Sequence, residues 1–470
     1  MKPTVSLDDV AAPAPLFSWA LVGLSLSTLL SSLGTSIANV ALPTLEVVFH
    51  ASFQQVQWVV LAYLLVITCL SVSAGRLGDL VGQKRLLLMG LGVFTVASLW
   101  CGLSSNLGML IAARGLQGLG AAIMMALTLA LVGTTFPKTK MGGAVGLLGT
   151  MSAVGTALGP SLGGVLLQAS DWPALFFMQV PLGISALWLL HRFLPADQVK
   201  SDLSCARLDP LGTGILAVTL ACYALSMTLE HGHSGQANGV LLCVALAGLL
   251  AFIWLENRAP SPLVDLRTLK QPLLGAGFVL NLLVTTVVMA TLVVGPFYLS
   301  GGLNLNAAQV GLVMTCGPLV SALTGVPAGR LVDRSGALKM TTVGLVAMLT
   351  GSLVLALVSS RLGVVGYIVP LVLLTSGYAL FQAANNTAVL KGVSPERRGV
   401  MSGLLSLSRN LGLISGASMM GKVFILGLGP SRDVGTGMEV VFGVSVGLVG
   451  VALLVLRASS RASQRNAESN

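Results

Sequence analysis

The sequence predicts an all-α integral membrane protein of 14 transmembrane helices, with two six-helix bundles and a two-helix insertion between them. Three observations carry that prediction. The chain of 470 residues is 54% hydrophobic and only 9% charged, whereas soluble domains carry about 25% charged residues. A soluble fold of this length would need more charge to cover its surface. Apolar runs long enough to cross a bilayer, about 17–25 residues each, recur along the whole sequence. They are too long and too continuously apolar for barrel strands, which alternate over about ten residues. Helices remain as the way to satisfy the backbone in lipid. The third observation is the placement of Lys and Arg between these runs.

Taken in order, the runs at 16–38, 56–75, 86–104, 108–135, 141–168 and 173–194 form an N-terminal bundle, 16–194. The first lacks a basic leader and a small-residue cleavage site, so it reads as a retained helix. Runs at 210–230 and 239–256 are flanked by polar segments, 195–209 and 257–271, that contain prolines and charges, and they read as an inserted hairpin, 210–256. Runs at 272–299, 307–330, 338–359, 363–390, 400–428 and 438–457 form a C-terminal bundle, 272–457. Those longer than about 25 residues imply tilt or extension beyond the lipid.

The positive-inside rule tests the count. With the N-terminus inside, Arg361 and Arg432 fall outside and Arg114, Arg409 and Lys422 fall within spans; the other 21 of the 26 Lys and Arg are inside, counting Arg192, Arg330 and Arg457 at the cytoplasmic span ends. One span too many or too few would invert every later loop. The bias therefore predicts 14 spans with both termini in the cytoplasm, in an inner membrane. It also explains the net charge of +10 as topology signal rather than a nucleic-acid surface. The six cysteines show no metal-ligand spacing, and five lie in predicted spans. No metal site, cofactor or disulfide is expected.

The chain carries an internal repeat. Gly75-Arg-Leu-Gly-Asp79-Leu-Val-Gly82-Gln-Lys-Arg85 matches Gly329-Arg-Leu-Val-Asp333-Arg334-Ser-Gly336-Ala-Leu-Lys339 at Gly, Arg, Leu, Asp and Gly in register. Both copies follow an even-numbered span. Two parallel halves with matching loops are a mark of duplicated transporters. The copies are eight spans apart rather than six, which places the extra hairpin between the halves.

These residues resemble a known family. The first copy is similar to the loop between helices two and three of the major facilitator superfamily, departing from its pattern at Leu80 and Gln83. In the fourth span, Arg114-Gly-Leu-Gln117-Gly118 resembles that superfamily's R-x-x-Q-G motif. In the fifth, Gly146, Gly155, Gly159-Pro160 and Gly163-Gly164 reproduce the antiporter pattern G-x8-G-x3-G-P-x2-G-G. Trp58, Tyr63, Asn39-Val-Ala-Leu-Pro43 and Val180-Pro181-Leu-Gly183 are similar to the fourteen-span drug:proton antiporters of multidrug efflux type. That group usually has an aspartate in the first span, and Gly34 stands in its place here.

The resemblance implies conformational roles for Gly75, Asp79, Gly82 and Arg85, for Gly329, Asp333, Arg334 and Gly336, and for the glycines and Pro160 of the fifth span. The two aspartates are expected just past helix ends, as latches. Gly155, Gly159 and Gly163 remove side chains along one stripe and Pro160 breaks a backbone hydrogen bond, so the fifth helix is expected to be a smooth, bent pivot between the halves. Arg114 and Arg409 are embedded charges. Each costs at least about 2.5–3.5 kcal/mol and is a functional candidate on that ground. No carboxylate falls mid-span: Glu46, Asp171, Glu230 and Glu256 lie at or beyond span ends. Asn39, Gln117, Asn281, Asn385 and Tyr63, with the two arginines, are candidates for a polar substrate path, although interhelical hydrogen bonding suits each amide as well.

No nucleophile–base pair, phosphate loop or metal cluster points to an enzyme. Without a nucleotide-binding motif, transport would be driven by a gradient, with protons as a candidate coupling ion. The expected function is export of a small amphipathic compound by alternating access, by a monomer in the lipid bilayer. The alternative within transport is a metabolite or organic-anion exporter. A non-transporting sensor on the same scaffold would have lost the repeat loops and the glycine stripe, and both are present.

Overall fold

A computed structural model describes residues 14–135, 138–197, 210–229, 235–258, 272–358, 362–391, 398–429 and 433–468. Cys205, Glu230, Arg361 and Arg432 lie outside the described residues, as does the side chain of Asp79. The described residues form α1 (Ala14–Val48), α2 (Phe53–Val81), α3 (Gln83–Gly102), α4 (Leu107–Thr135), α5 (Lys138–Ala169), α6 (Ala174–Phe177), α7 (Gln179–Phe193), α8 (Pro210–Thr228), α9 (Gly235–Glu256), α10 (Pro272–Phe297), α11 (Ala307–Ser335), α12 (Ala337–Val358), α13 (Gly363–Lys391), α14 (Arg398–Leu428) and α15 (Val434–Glu468). A π-helical turn, Tyr298–Gly302, extends α10. With α6 and α7 counted as one, these give 14 helices long and apolar enough to cross a membrane.

Several ends differ from the sequence expectation. α1 runs on through Pro43 to Val48; Leu42 and Leu45 are fully buried there, and their packing carries the helix past the amide that proline lacks. The sixth span is broken at Met178. Pro181 has no N–H to give the carbonyl of Phe177, so the ladder is interrupted at that point. The repeat loops are almost entirely helix. Gly82 (φ 107°) alone turns α2 into α3, and Gly336 (φ 86°) alone turns α11 into α12. That backbone region strongly favours glycine. Asp79 and Asp333 thus sit in the last turns of α2 and α11 rather than beyond them.

The duplication reaches further than the sequence match. α2 begins with a capping box on Ser52 and Gln55, α11 with one on Asn306 and Gln309. Gly120 meets the carbonyl of Gly90 as α4 crosses α3, and Gly377 meets that of Gly344 as α13 crosses α12. Helix pairing repeats too: α1 with α5, α2 with α4 and α3 with α4 correspond to α10 with α14, α11 with α13 and α12 with α13.

The two sets of six spans meet through α5 against α11 and α2 against α14. The α8–α9 pair packs on this seam, with α8 touching both α2 and α14. Trp58 Nε1 donates to Thr228 Oγ1 at 3.0 Å, the Ser73 and Thr213 hydroxyls lie 2.8 Å apart, and Lys422 Nζ donates to the Ser226 carbonyl at 3.5 Å. The hairpin therefore leans on both halves at once.

Candidate functional site

A cavity of about 320 Å³ lies between the halves, lined from α1, α4, α5, α10, α11, α13 and α14. One end is shut. Gly164 and Gly311 bring α5 and α11 into backbone contact, where a Cβ on Gly311 would lie 2.9 Å from the Gly164 Cα and would also collide with the Pro160 carbonyl. On the other side of the seam, Gln57 of α2 presses on Gly421 of α14. The rings of Phe53 and Phe297 meet edge-on, with centroids 4.5 Å apart, and Phe424 packs on Phe53 at 5.3 Å. Towards the end that carries Gly82 and Gly336, no heavy atom of the described residues lies within 4 Å of a Cβ placed on Gly146, Gly149, Gly325 or Gly329. The cavity lies on that looser side of the closure.

Its wall is built from periodicity that small hydroxyls hide well. Ser32, Thr35 and Ser36 fall on one face of α1, opposite Ser152 and Thr156 of α5. The Ser32 and Ser152 hydroxyls are 2.8 Å apart. Val288, Met289, Leu292, Met314, Leu371 and Leu413 supply apolar surface. Tyr367 and Tyr378 come from α13 and Arg409 from α14.

Of the seven candidates for a substrate path, Arg409 alone lines this cavity. Its Nε is buried and meets no hydrogen-bond acceptor among the described residues. Arg114 does something different. It is fully buried; its Nε donates to the Val59 carbonyl at 2.9 Å, Nη2 to the Gly34 carbonyl at 2.9 Å and Nη1 to Gln117 Oε1 at 2.5 Å. The guanidinium lies 4.1 Å from the centroid of the Tyr63 ring. Gln117 Nε2 donates on to Ser98 Oγ and Gln179 Oε1, and the Tyr63 hydroxyl to the Ser31 carbonyl. This is a knot tying α1, α2, α3, α4 and α7 together. Asn39 donates back to the Thr35 and Ser36 carbonyls of its own helix. Asn281 bonds the Leu405 carbonyl and Asn385 the Gly277 carbonyl, so both hold α10 to its neighbours. In this conformation Arg114, Gln117, Tyr63, Asn281 and Asn385 bond to neighbouring helices and Asn39 to its own, and none of the six is among the described residues that line the cavity.

The knot also explains what Gly34 does. A Cβ there would lie 2.8 Å from the Tyr63 hydroxyl and 3.4 Å from Phe94. Any side chain at that position would press on the Tyr63 ring and hydroxyl.

The glycines of α5 serve two neighbours. Gly155, Gly159 and Gly163 face α1, where Cβ atoms would collide with the Leu29 carbonyl, Ser36 and Val40. Only Gly164, with the Pro160 carbonyl, faces α11. The stripe expected between the halves therefore lies inside the first one. Gly146 is exposed.

In the repeat motif, Gly75 and Gly329 have open space around their Cβ positions, and Asp333, Arg334 and Gly336 are exposed. One further contact at this end is not legible in the sequence. Asp197, just beyond α7, accepts from the backbone N–H of Lys84 at 2.8 Å and of Arg85 at 3.0 Å, and Lys84 Nζ donates to the His191 and Leu194 carbonyls. A carboxylate on the first amides of α3 satisfies donors that the helix leaves free and meets the positive end of its dipole. Its signal, a lone acid in a polar connection, had no partner in sequence.

Comparison with known proteins fits this geometry. The family model described as Major Facilitator Superfamily matches residues 24–417, and again 277–469. The chain is 32% identical over 404 residues to the riboflavin transporter RibZ of Clostridioides difficile (strain 630), covering 86% of this chain and 87% of that one. It is 30% identical over 406 residues to the multidrug resistance protein Stp of Mycobacterium tuberculosis (strain ATCC 25618 / H37Rv), covering 86% and 75%. A solved bacterial homolog of the human lysosomal transporter Spinster, in an inward-facing and unoccupied conformation, superposes with a TM-score of 0.69 at 14% identity, covering 96% of this chain and 98% of that one. With a family model over most of its length, close relatives that transport small molecules and a matching duplicated fold, the chain belongs to the Major Facilitator Superfamily and is a multi-pass membrane transporter.

Proposed function

We propose that this protein exports small amphipathic compounds by alternating access through the cavity between its halves. The observation that carries the reading is the cavity itself: part apolar, part hydroxyl-lined, shut at one end by helix contacts that are all between the halves. Residues 16–194 and 272–457 are the two moving bodies, and 210–256 is the hairpin that rides on their seam. The excess of Lys and Arg in one set of loops supports a cytoplasmic position for the open side, and with it an inward-facing state. The multidrug resistance name of one relative supports an efflux role.

The orientation is tested with reporters fused after Arg465 and within 195–209. Both are expected to be active on the cytoplasmic side, and a periplasmic signal from either would remove the basis for calling the state inward-facing. Export is tested by expressing the protein in an efflux-deficient strain and measuring accumulation of a panel of fluorescent amphiphiles. Lower accumulation of at least one compound, restored to the control level when the gradient is collapsed, is expected. No change for any compound, together with no uptake into inverted vesicles, would defeat the export reading.

A further inference from the structure

We infer that the cavity selects amphipathic organic monoanions that carry hydroxyl or amide N–H groups, with Arg409 as the anchor for the negative head. This rests on the transport reading above and names the substrate class for the same cavity. Arg409 lies eleven residues into the 31-residue helix α14, and its guanidinium offers N–H donors and no acceptor. Its Nε is out of reach of solvent and has no acceptor among the described residues. A buried donor on a charged group is costly unless something meets it, and this one belongs to a side chain that lines the cavity. No Asp or Glu is among the described residues lining it, so the fixed charge that they supply is positive.

The opposite wall has the reverse polarity. The hydroxyls of Thr35, Ser36 and Thr156 donate to the carbonyls of Ser31, of Ser32, Leu33 and Gly155, and of Ser152 respectively. A hydroxyl whose proton is committed in this way has lone pairs left to offer. The α1–α5 wall therefore offers acceptors at these three hydroxyls, beside the Ser32–Ser152 pair, in which one hydroxyl donates to the other and the second keeps its proton. On the Arg409 side, Tyr378 accepts from Gln382 Nε2 at 2.9 Å, which leaves its own proton free to donate. A ligand that fits both walls has an acceptor-rich anionic end facing α13 and α14, donors facing α1 and α5, and an apolar body between them.

The test uses the purified full chain in nanodiscs and three fluorescent probes of matched bulk: dansylglycine, its methyl ester, and dansylamidoethyl-trimethylammonium. All three carry a sulfonamide N–H and differ in charge. After subtraction of empty nanodiscs, dansylglycine is expected to bind about tenfold or more tightly than the ester, as a charge-assisted hydrogen bond would give, with the cation weakest. In Arg409→Gln the ratio of anion to ester affinity should fall towards one. Arg409→Lys, which keeps the charge, should retain a preference for the anion and shows whether Arg409→Gln failed only through misfolding. A wild-type ratio near one, or an unchanged ratio in Arg409→Gln, would overturn the inference. Flux into proteoliposomes separates it from the broader reading. Transport of the ester with no anion preference would overturn the anion site alone. Selective anion binding with no flux of any probe would overturn transport and leave the site.

Discussion

Replacing Gly311 with leucine is expected to abolish transport while leaving the protein folded and abundant in the membrane. The side chain would drive into the Pro160 carbonyl and the Gly164 backbone, so the closed end of the seam could no longer close. Overpacking of this kind costs about 1–3 kcal/mol or more. A few kcal/mol is enough to move a two-state equilibrium by tenfold to a hundredfold or beyond. Nothing within either set of six spans is disturbed, because the contact is wholly between them. Gly159→Leu makes the contrast. Gly159 packs on Ser36 and the backbone of α1, so the clash falls inside one half and accumulation itself should drop. The pair is read by measuring protein level, transport, and labelling of a cysteine at position 53 by a membrane-impermeant maleimide, with Phe53→Cys alone as the reference because that ring is part of the closure. Gly311→Leu should accumulate normally and label strongly. Wild-type transport by Gly311→Leu, or normal accumulation of Gly159→Leu, would show that the two faces of α5 have been assigned wrongly.

The second large effect concerns Arg114, where the conservative substitution should be the worse one. Arg114→Lys keeps a buried charge but lacks the fork that reaches Val59, Gly34 and Gln117 together. An ammonium can be expected to keep about one of those bonds. A buried charge left largely uncompensated costs about 3–5 kcal/mol. Arg114→Met removes the charge with its bonds. The Gly34 and Val59 carbonyls lie within helices and keep their ladder partners, so the main loss is Gln117 Oε1 left unpaired, about 1–3 kcal/mol. Thermal inactivation of the detergent-solubilised protein should therefore rank wild type above Met and Met above Lys. Lysine matching wild type would mean that the knot tolerates a point charge and that its planar geometry is unimportant. At Arg409 the described residues offer Nε no acceptor, so lysine or methionine there loses no bond from Nε and the fold should be indifferent.

Those two arginines show what could be read from sequence. Both stood out as charges within apolar spans, because a charge in lipid is rare and costly. Which of them faced a cavity was not legible, since a guanidinium looks the same whether its partner is a neighbouring carbonyl or a ligand. The same holds for Gly163 and Gly164. They are adjacent in sequence but about 100° apart around the helix, so one touches α1 and the other α11. Ser32, Thr35 and Ser36 went unnoticed because small hydroxyls bond back to their own helix throughout membrane spans. Asp197 went unnoticed because its partners are backbone amides more than a hundred residues away.

What the sequence determined by itself was the number of spans and the duplication. Each depends on local chemistry: a window of about 20 apolar residues partitions into lipid, a few cations hold a loop on one side, and Gly82 and Gly336 can take a backbone angle that other residues avoid. Only the tertiary structure decided which face of each helix meets a partner and which is left to the cavity. That rotation is set by close packing between helices distant in sequence, through contacts such as Gly164 on Gly311 and Arg114 on Gly34, and no local pattern encodes it.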